Sequence, residues 1–216
     1  MDQSQVLEGF APPAYFFSAE LDCQHHPDAG PLPRSKKFQL PELSKLYNEA
    51  SFALVGMGWQ SQGLMWRFEV AVENGVTVAY PEIRQGDSIE LFIDTRDLKT
   101  ARTTHRFCHH FFFLPEAVEG LFCGEISRFR TEDSHPLCKS EEIEYRVEPV
   151  ATGYVADIMI PKECLVGFDP SECNRIGFSY RVNRSKGTSQ QFAFSSELTA
   201  LERHPYLWTT LHLRNG

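Results

Sequence analysis

The residues of this chain best suited to chemistry crowd into Thr104-His105-Arg106-Phe107-Cys108-His109-His110, with two more histidines upstream at His25 and His26. On a strand, His105 and His109 share a face with Phe107 and Phe111, while His110 shares the other with Cys108. Residues four apart on a strand stand roughly 13 Å from each other by strand rise. That is too far to share one zinc ion, whose ligands lie at about 2 Å. The spacing therefore predicts satisfied or partly exposed histidines rather than a metal site. Glu90 and Asp94 raise the same question for glycoside hydrolysis. Their separation, again roughly 13 Å, exceeds the roughly 5–10 Å that retaining or inverting chemistry uses, so a carboxylate from another strand would be needed. Gly177-Phe178-Ser179-Tyr180-Arg181 lacks the second glycine of a nucleophile elbow and lies in a strand rather than a strand-to-helix turn. No glycine-rich phosphate loop occurs. These patterns point away from catalysis.

What remains is a polar face. Arg67, Glu69, Glu90, Asp94, Arg181 and Asn183 each project opposite a core-facing apolar set. One reading is a plain solvated sheet surface, as antiparallel sheets often have. The other is a ligand face, where charge-assisted hydrogen bonds hold sugar hydroxyls and an aromatic ring stacks on the sugar. Trp59, at a strand end beside a polar loop, is the stacking candidate. Trp66 is in phase with the core, and Trp208 fits neither role clearly.

These residues need strands to hold them. Leu64, Trp66, Phe68, Val70 and Val72 alternate against Arg67 and Glu69, the period of a half-buried strand. The Gln60-Ser61-Gln62-Gly63 link joins that strand to Ser51–Trp59 as a hairpin. Asn74-Gly75 is a further turn signal. Ile89, Leu91 and Ile93 alternate against Glu90, Phe92 and Asp94, and Ile176, Phe178, Tyr180 and Val182 against Ser179, Arg181 and Asn183. Further strands are expected over 106–114, 120–128, 145–150, 154–160, 190–194 and 207–213. Helical periodicity is confined to short turns over 41–50 and 196–203. About ten or eleven short strands with turn residues between them mark an all-β sandwich or barrel. No linker or repeat divides the chain, so residues 1–216 read as a single domain. Residues 1–37, with Pro12, Pro13, Pro27, Pro31 and Pro33, read as an irregular N-terminal arm.

Composition bounds the function. Apolar residues make up 42% of the 216 and Phe alone accounts for 17, enough to bury a core and to exclude disorder. A net charge of −8 opposes nucleic-acid backbone binding, which needs a basic face. The first twenty residues lack the pattern of a signal peptide, and no stretch is long and apolar enough to span a membrane. Six scattered cysteines without a CxxC pair read as buried thiols, hence a reducing, cytoplasmic setting.

The ordered set GLMWRFEVAV, GDSIELFIDTR, YVADIMIPKECL and RIGFSYRVNR resembles the family 9 carbohydrate-binding-module-like domains. The matching runs are Asp87–Asp94, Ala156–Pro161 and Ile176–Asn183, and the likeness extends over about residues 50–213. It implies an immunoglobulin-like antiparallel β-sandwich, sugar binding, commonly at chain ends, and calcium as an associated ion, with no other cofactor. Glu90, Arg96 and Asn183 match positions lining the family's site. Family members clamp sugar between two tryptophans and are usually secreted modules joined to an enzyme. Here Arg184-Ser185-Lys186-Gly187 carries no aromatic after Asn183, and the chain reads as free-standing. Fold transfers more readily than ligand.

The resulting expectation is a non-catalytic carbohydrate-binding domain using Trp59, Arg67, Glu69, Glu90, Asp94, Arg96, Arg181 and Asn183, with carbohydrate as partner and neither nucleic acid nor membrane. A protein-interaction or structural sandwich is the alternative. Related haem-binding sandwiches suggest a third, with Met57 or Met65 and His212 as axial ligands.

Overall fold

A computed structural model describes residues 20–28, 30–73, 75–198 and 200–215. Pro12, Pro13 and the rest of residues 1–19, together with Asn74, lie outside the described residues.

The eleven strands among the described residues are β1 (Glu20–His25), β2 (Ala53–Gln60), β3 (Gly63–Ala71), β4 (Ser88–Asp94), β5 (Cys108–Val118), β6 (Leu121–Glu125), β7 (Glu144–Val150), β8 (Gly153–Pro161), β9 (Arg175–Asn183), β10 (Gln190–Gln191) and β11 (Thr209–Arg214). Only short 3-10 turns accompany them, among them Ser44–Tyr47, Ile83–Gln85, Leu201–Arg203 and Pro205–Leu207. The ladder runs β6-β5-β4-β9-β11-β1-β2-β3-β8-β7, with β10 pairing on β9.

Neighbouring strands are mostly antiparallel, which short connections permit. The exception is β1, which runs parallel to both β11 and β2 and joins the two halves of the ladder. This corrects the expectation of a wholly irregular arm. Downstream of β1 the arm lies against β2. Leu32 is buried and sits where a Cβ on Gly58 would be 2.7 Å from its Cδ1, so a glycine there makes room for it.

Alternation explains the core. Trp66 on β3 stacks on Phe178 of β9 at 5.8 Å, and Phe68 meets Tyr180 edge-on at 5.6 Å. β3 and β9 are far apart in the ladder, so the sheet curls until its halves face each other. The ladder's two ends also meet: the Tyr145 ring on β7 lies 5.1 Å from Phe113 on β5, and its hydroxyl donates to the Leu114 carbonyl at 3.0 Å. The sheet is therefore nearly closed and barrel-like, an all-β fold.

The cysteines depart from expectation. Cys138 and Cys164 form a disulfide, while Cys23, Cys108, Cys123 and Cys173 are free thiols. Twenty-six residues separate the pair, and nothing in the spacing flags two cysteines brought together only by the β6–β7 connection and the turn after β8. The thiol reading no longer argues for a reducing compartment.

Candidate functional site

β4 lies between β5 and β9. Glu90 pairs with Phe112 on one side and Arg181 on the other, and Ser88 lies opposite Asn183. The period of two thus puts Glu90, Arg181 and Asn183 on one patch, as the alternation predicted. Their exposure is corrected. The three residues are 0, 3 and 4% exposed, because a second layer covers this face. The turn Ile83–Gln85 closes over one side, with Ile83 packing against Phe112 and Leu114. The segment after β10 closes the other, with Phe194, Leu201 and Trp208 packing on Phe92 and Cys108. Phe92 sits between Glu90 and Asp94 on the supposedly solvated face and is fully buried.

Between these two apolar clusters lies a charge network centred on Glu90. Arg84 Nε donates to both carboxylate oxygens at 3.0 and 3.2 Å, and Nη2 donates to Oε2 at 2.9 Å. Asn183 Nδ2 donates to Oε1 at 3.0 Å, His110 Nε2 lies 2.8 Å from Oε2, and Arg181 Nη1 stands 3.5 Å from Oε1. Arg84 also reaches Glu202 at 2.9 Å. Arg181 Nη2 donates to the Leu198 carbonyl at 2.9 Å, tying the covering segment to the sheet. Burial alone would raise the Glu90 carboxyl. The hydrogen bond and charge of His110 and the contacts of Arg84 outweigh burial and hold it well below the usual range. Glu202 is lowered too: burial opposes the shift, and Arg84 prevails.

Part of the network, Arg84, Glu90, His110 and Glu202, lines a cleft of about 560 Å³ that Ser127 and Trp208 also border. Sequence reasoning missed Arg84, His110 and Glu202, which lie in turns or on a strand whose outward face carried no polar repeat.

The other expected site residues lie elsewhere. Trp59 is 6% exposed, packed at the core's edge, and donates to the Arg214 carbonyl at 3.2 Å. Arg67 is ion-paired with Asp157 at 2.8 Å and lies with Glu69 in a separate hollow beside Arg34. Asp94 accepts the Arg96 and Leu98 backbone N–H groups at 3.0 and 2.7 Å, capping the turn after β4. Arg96 pairs with Glu172 at 3.1 Å. The structure brings three of the eight together.

The haem reading finds no support in the positions. Met57 is inside the core, Met65 accepts a contact from Gln60, and His212 meets Glu20 at 2.8 Å; none of them borders the cleft. Calcium takes six to eight oxygen ligands. Among the described residues, the side-chain clusters Asp94–His105–Cys108 and His109–Glu125–His135 each combine one carboxylate with nitrogen or sulfur donors, which does not fit calcium.

No protein-family model and no curated protein sequence matches this chain. Solved structures do share its fold. A carbohydrate binding module family 9 (CBM9) from Caldicellulosiruptor kristjanssonii in complex with glucose superposes with a TM-score of 0.65 at 15% identity, over 92% of this chain and 97% of that one. The CBM9 structure from the same organism in complex with cellotriose gives 0.60 at 15% identity, over 92% and 95%. This chain thus has a CBM9-like fold.

Proposed function

We propose that the protein is a non-catalytic carbohydrate-binding domain that takes a sugar or short glycan into the cleft above β4 and β5. The sheet whose halves face each other is read as the immunoglobulin-like sandwich of such modules, and the CBM9-like fold supports that reading. The observation that carries the proposal is the network on the cleft floor. Arg84, Glu90, Glu202 and His110 are fixed by one another before any ligand arrives, which lowers the ordering cost of binding. Such groups offer hydroxyls both donors and acceptors through charge-assisted bonds, in a cavity within the usual ligand-site range of roughly 300–1,000 Å³. Arg181 and Asn183 act beneath them as positioning residues.

The same geometry favours binding over hydrolysis. A glycosidase needs one carboxyl held protonated as general acid. Here Arg84 bonds both Glu90 and Glu202 and favours the ionised form of each.

Calorimetric titration with glucose and cellotriose, backed by a broad glycan array, tests this. Arg84→Ala and Glu202→Gln should each weaken binding by about tenfold or more, at about 1.4 kcal/mol per tenfold. Arg67→Ala, in the separate hollow, should leave it unchanged. A folded wild-type protein that binds no saccharide on the array, or an Arg84→Ala protein of undiminished affinity, overturns the assignment.

A further inference from the structure

A second buried cluster lies beside the cleft and takes no part in the Glu90 network. Glu125, the last residue of β6, is buried with His109 of β5 and His135 of the β6–β7 connection. Its Oε1 is 2.9 Å from His109 Nδ1, 2.8 Å from His135 Nε2 and 2.6 Å from the Ser127 hydroxyl. The two imidazoles stack at 4.3 Å.

Three polar side chains converge here on one carboxylate oxygen. His135 Nδ1 lies 2.6 Å from the Arg106 carbonyl, which only accepts, so Nδ1 carries the proton. Nε2 is then the ring nitrogen that faces the Glu125 carboxylate, at 2.8 Å. A histidine whose outer nitrogen donates to a backbone carbonyl while the inner one faces a carboxylate and a second imidazole is the usual arrangement of a metal ligand.

We propose that His109 Nδ1, Glu125 Oε1 and His135 Nε2 are three ligands of a divalent transition-metal ion of the zinc class. The three donor atoms all lie within 4.8 Å of one another. Tetrahedral zinc, with ligands at about 2.0–2.2 Å, wants them roughly 3.3 Å apart, so the two nitrogen–oxygen distances of 2.9 and 2.8 Å would open by a few tenths of an ångström. Two nitrogens and one carboxylate suit zinc and exclude calcium. His109 and Ser127 border the cleft, which gives the ion a path from solvent. The ion would tie β5, β6 and the β6–β7 connection together. The inference does not depend on sugar binding.

The full chain, stripped by dialysis against a chelator, is titrated with Zn²⁺ and with Co²⁺. One equivalent should bind, Co²⁺ should show the visible absorption of a four- or five-coordinate site, and the Tm should rise with metal. His135→Gln and Glu125→Gln should weaken binding by roughly 100-fold. X-ray absorption on the zinc-loaded wild type provides a second readout that does not depend on either variant folding, with two imidazoles and oxygen expected. Three outcomes overturn the proposal: no stoichiometric uptake at micromolar metal, unchanged affinity in a folded variant, or sulfur ligation.

Discussion

Replacing Glu90 by Gln keeps the side chain's volume and removes its charge, so it isolates what the carboxylate does. Its carboxylate is fully buried and takes contacts from Arg84, Asn183, His110 and Arg181. In Glu90→Gln an amide NH2 faces groups that are themselves donors, and Arg181, 4% exposed at its side chain, loses its carboxylate. Breaking one partner of a buried pair costs about 3–5 kcal/mol. Arg84 is 37% exposed at its side chain, so solvent screens its share, and the lower end of that range applies. At about 2–4 °C per kcal/mol for a chain of this length, a loss of about 3 kcal/mol lowers the Tm by roughly 6–12 °C. The sign with pH follows from linkage. The folded-state value of Glu90 lies below the unfolded one, so acid favours the unfolded chain. The contribution is therefore fully present above the ordinary carboxylate range and fades as pH falls toward the folded value. Urea titrations of both proteins at a series of pH values should show the variant's deficit largest near neutrality and shrinking in acid. A deficit below about 1 kcal/mol at neutral pH, or one constant across the series, refutes the role assigned to this carboxylate.

Two further perturbations probe the frame that holds the site. Cys138→Ser opens a disulfide spanning 26 residues, and the chain-entropy relation for a loop of that length gives about 3.5 kcal/mol. Dithiothreitol should lower the urea midpoint of the wild type and leave that of Cys138→Ser untouched; equal responses contradict the linkage. Gly153→Ala tests the hairpin between β7 and β8, where φ is +147° and a Cβ would lie 1.9 Å from the Val70 carbonyl oxygen. A backbone atom cannot move aside as a flexible side chain can, so the loss should exceed about 1 kcal/mol, and a wild-type urea midpoint would count against that geometry.

Ten of the eleven strands lie where strands were expected, most plainly β3 and β9 with their alternating sequences, and the rest was hidden for identifiable physical reasons. Glu20–His25 offers one deeply buried side chain, Cys23, so the parallel strand that joins the halves has no hydrophobic period to announce it. Its partner β11 lies at the other end of the sequence. Period-two reasoning sorted Glu90, Arg181 and Asn183 onto one face, but alternation separates two faces without saying which of them meets water. The signal that did exist was Phe92, set between Glu90 and Asp94, with Phe112 opposite Glu90 on β5; large apolar groups on an outward face ask for a second layer. The metal-type cluster was invisible for another reason. Strand spacing relates only histidines on the same strand, whereas His109 meets His135 from a loop and Glu125 from the neighbouring strand.

The second layer bears on function through its energetics. Ile83 on one side and Phe194, Leu201 and Trp208 on the other already anchor the covering turns by apolar contact with the sheet. Placing two carboxylates and two arginines between those anchors adds a desolvation penalty that well-packed apolar side chains of similar volume would avoid. Stability therefore does not account for the network. Its geometry does something an apolar filling cannot: it fixes Arg84, Glu202 and His110 at the base of an open cleft with their polar atoms already oriented. Arg84, Glu202 and His110, partly open to the cleft above the buried Glu90 and Arg181, are the side chains on which the proposed binding of a polar ligand rests.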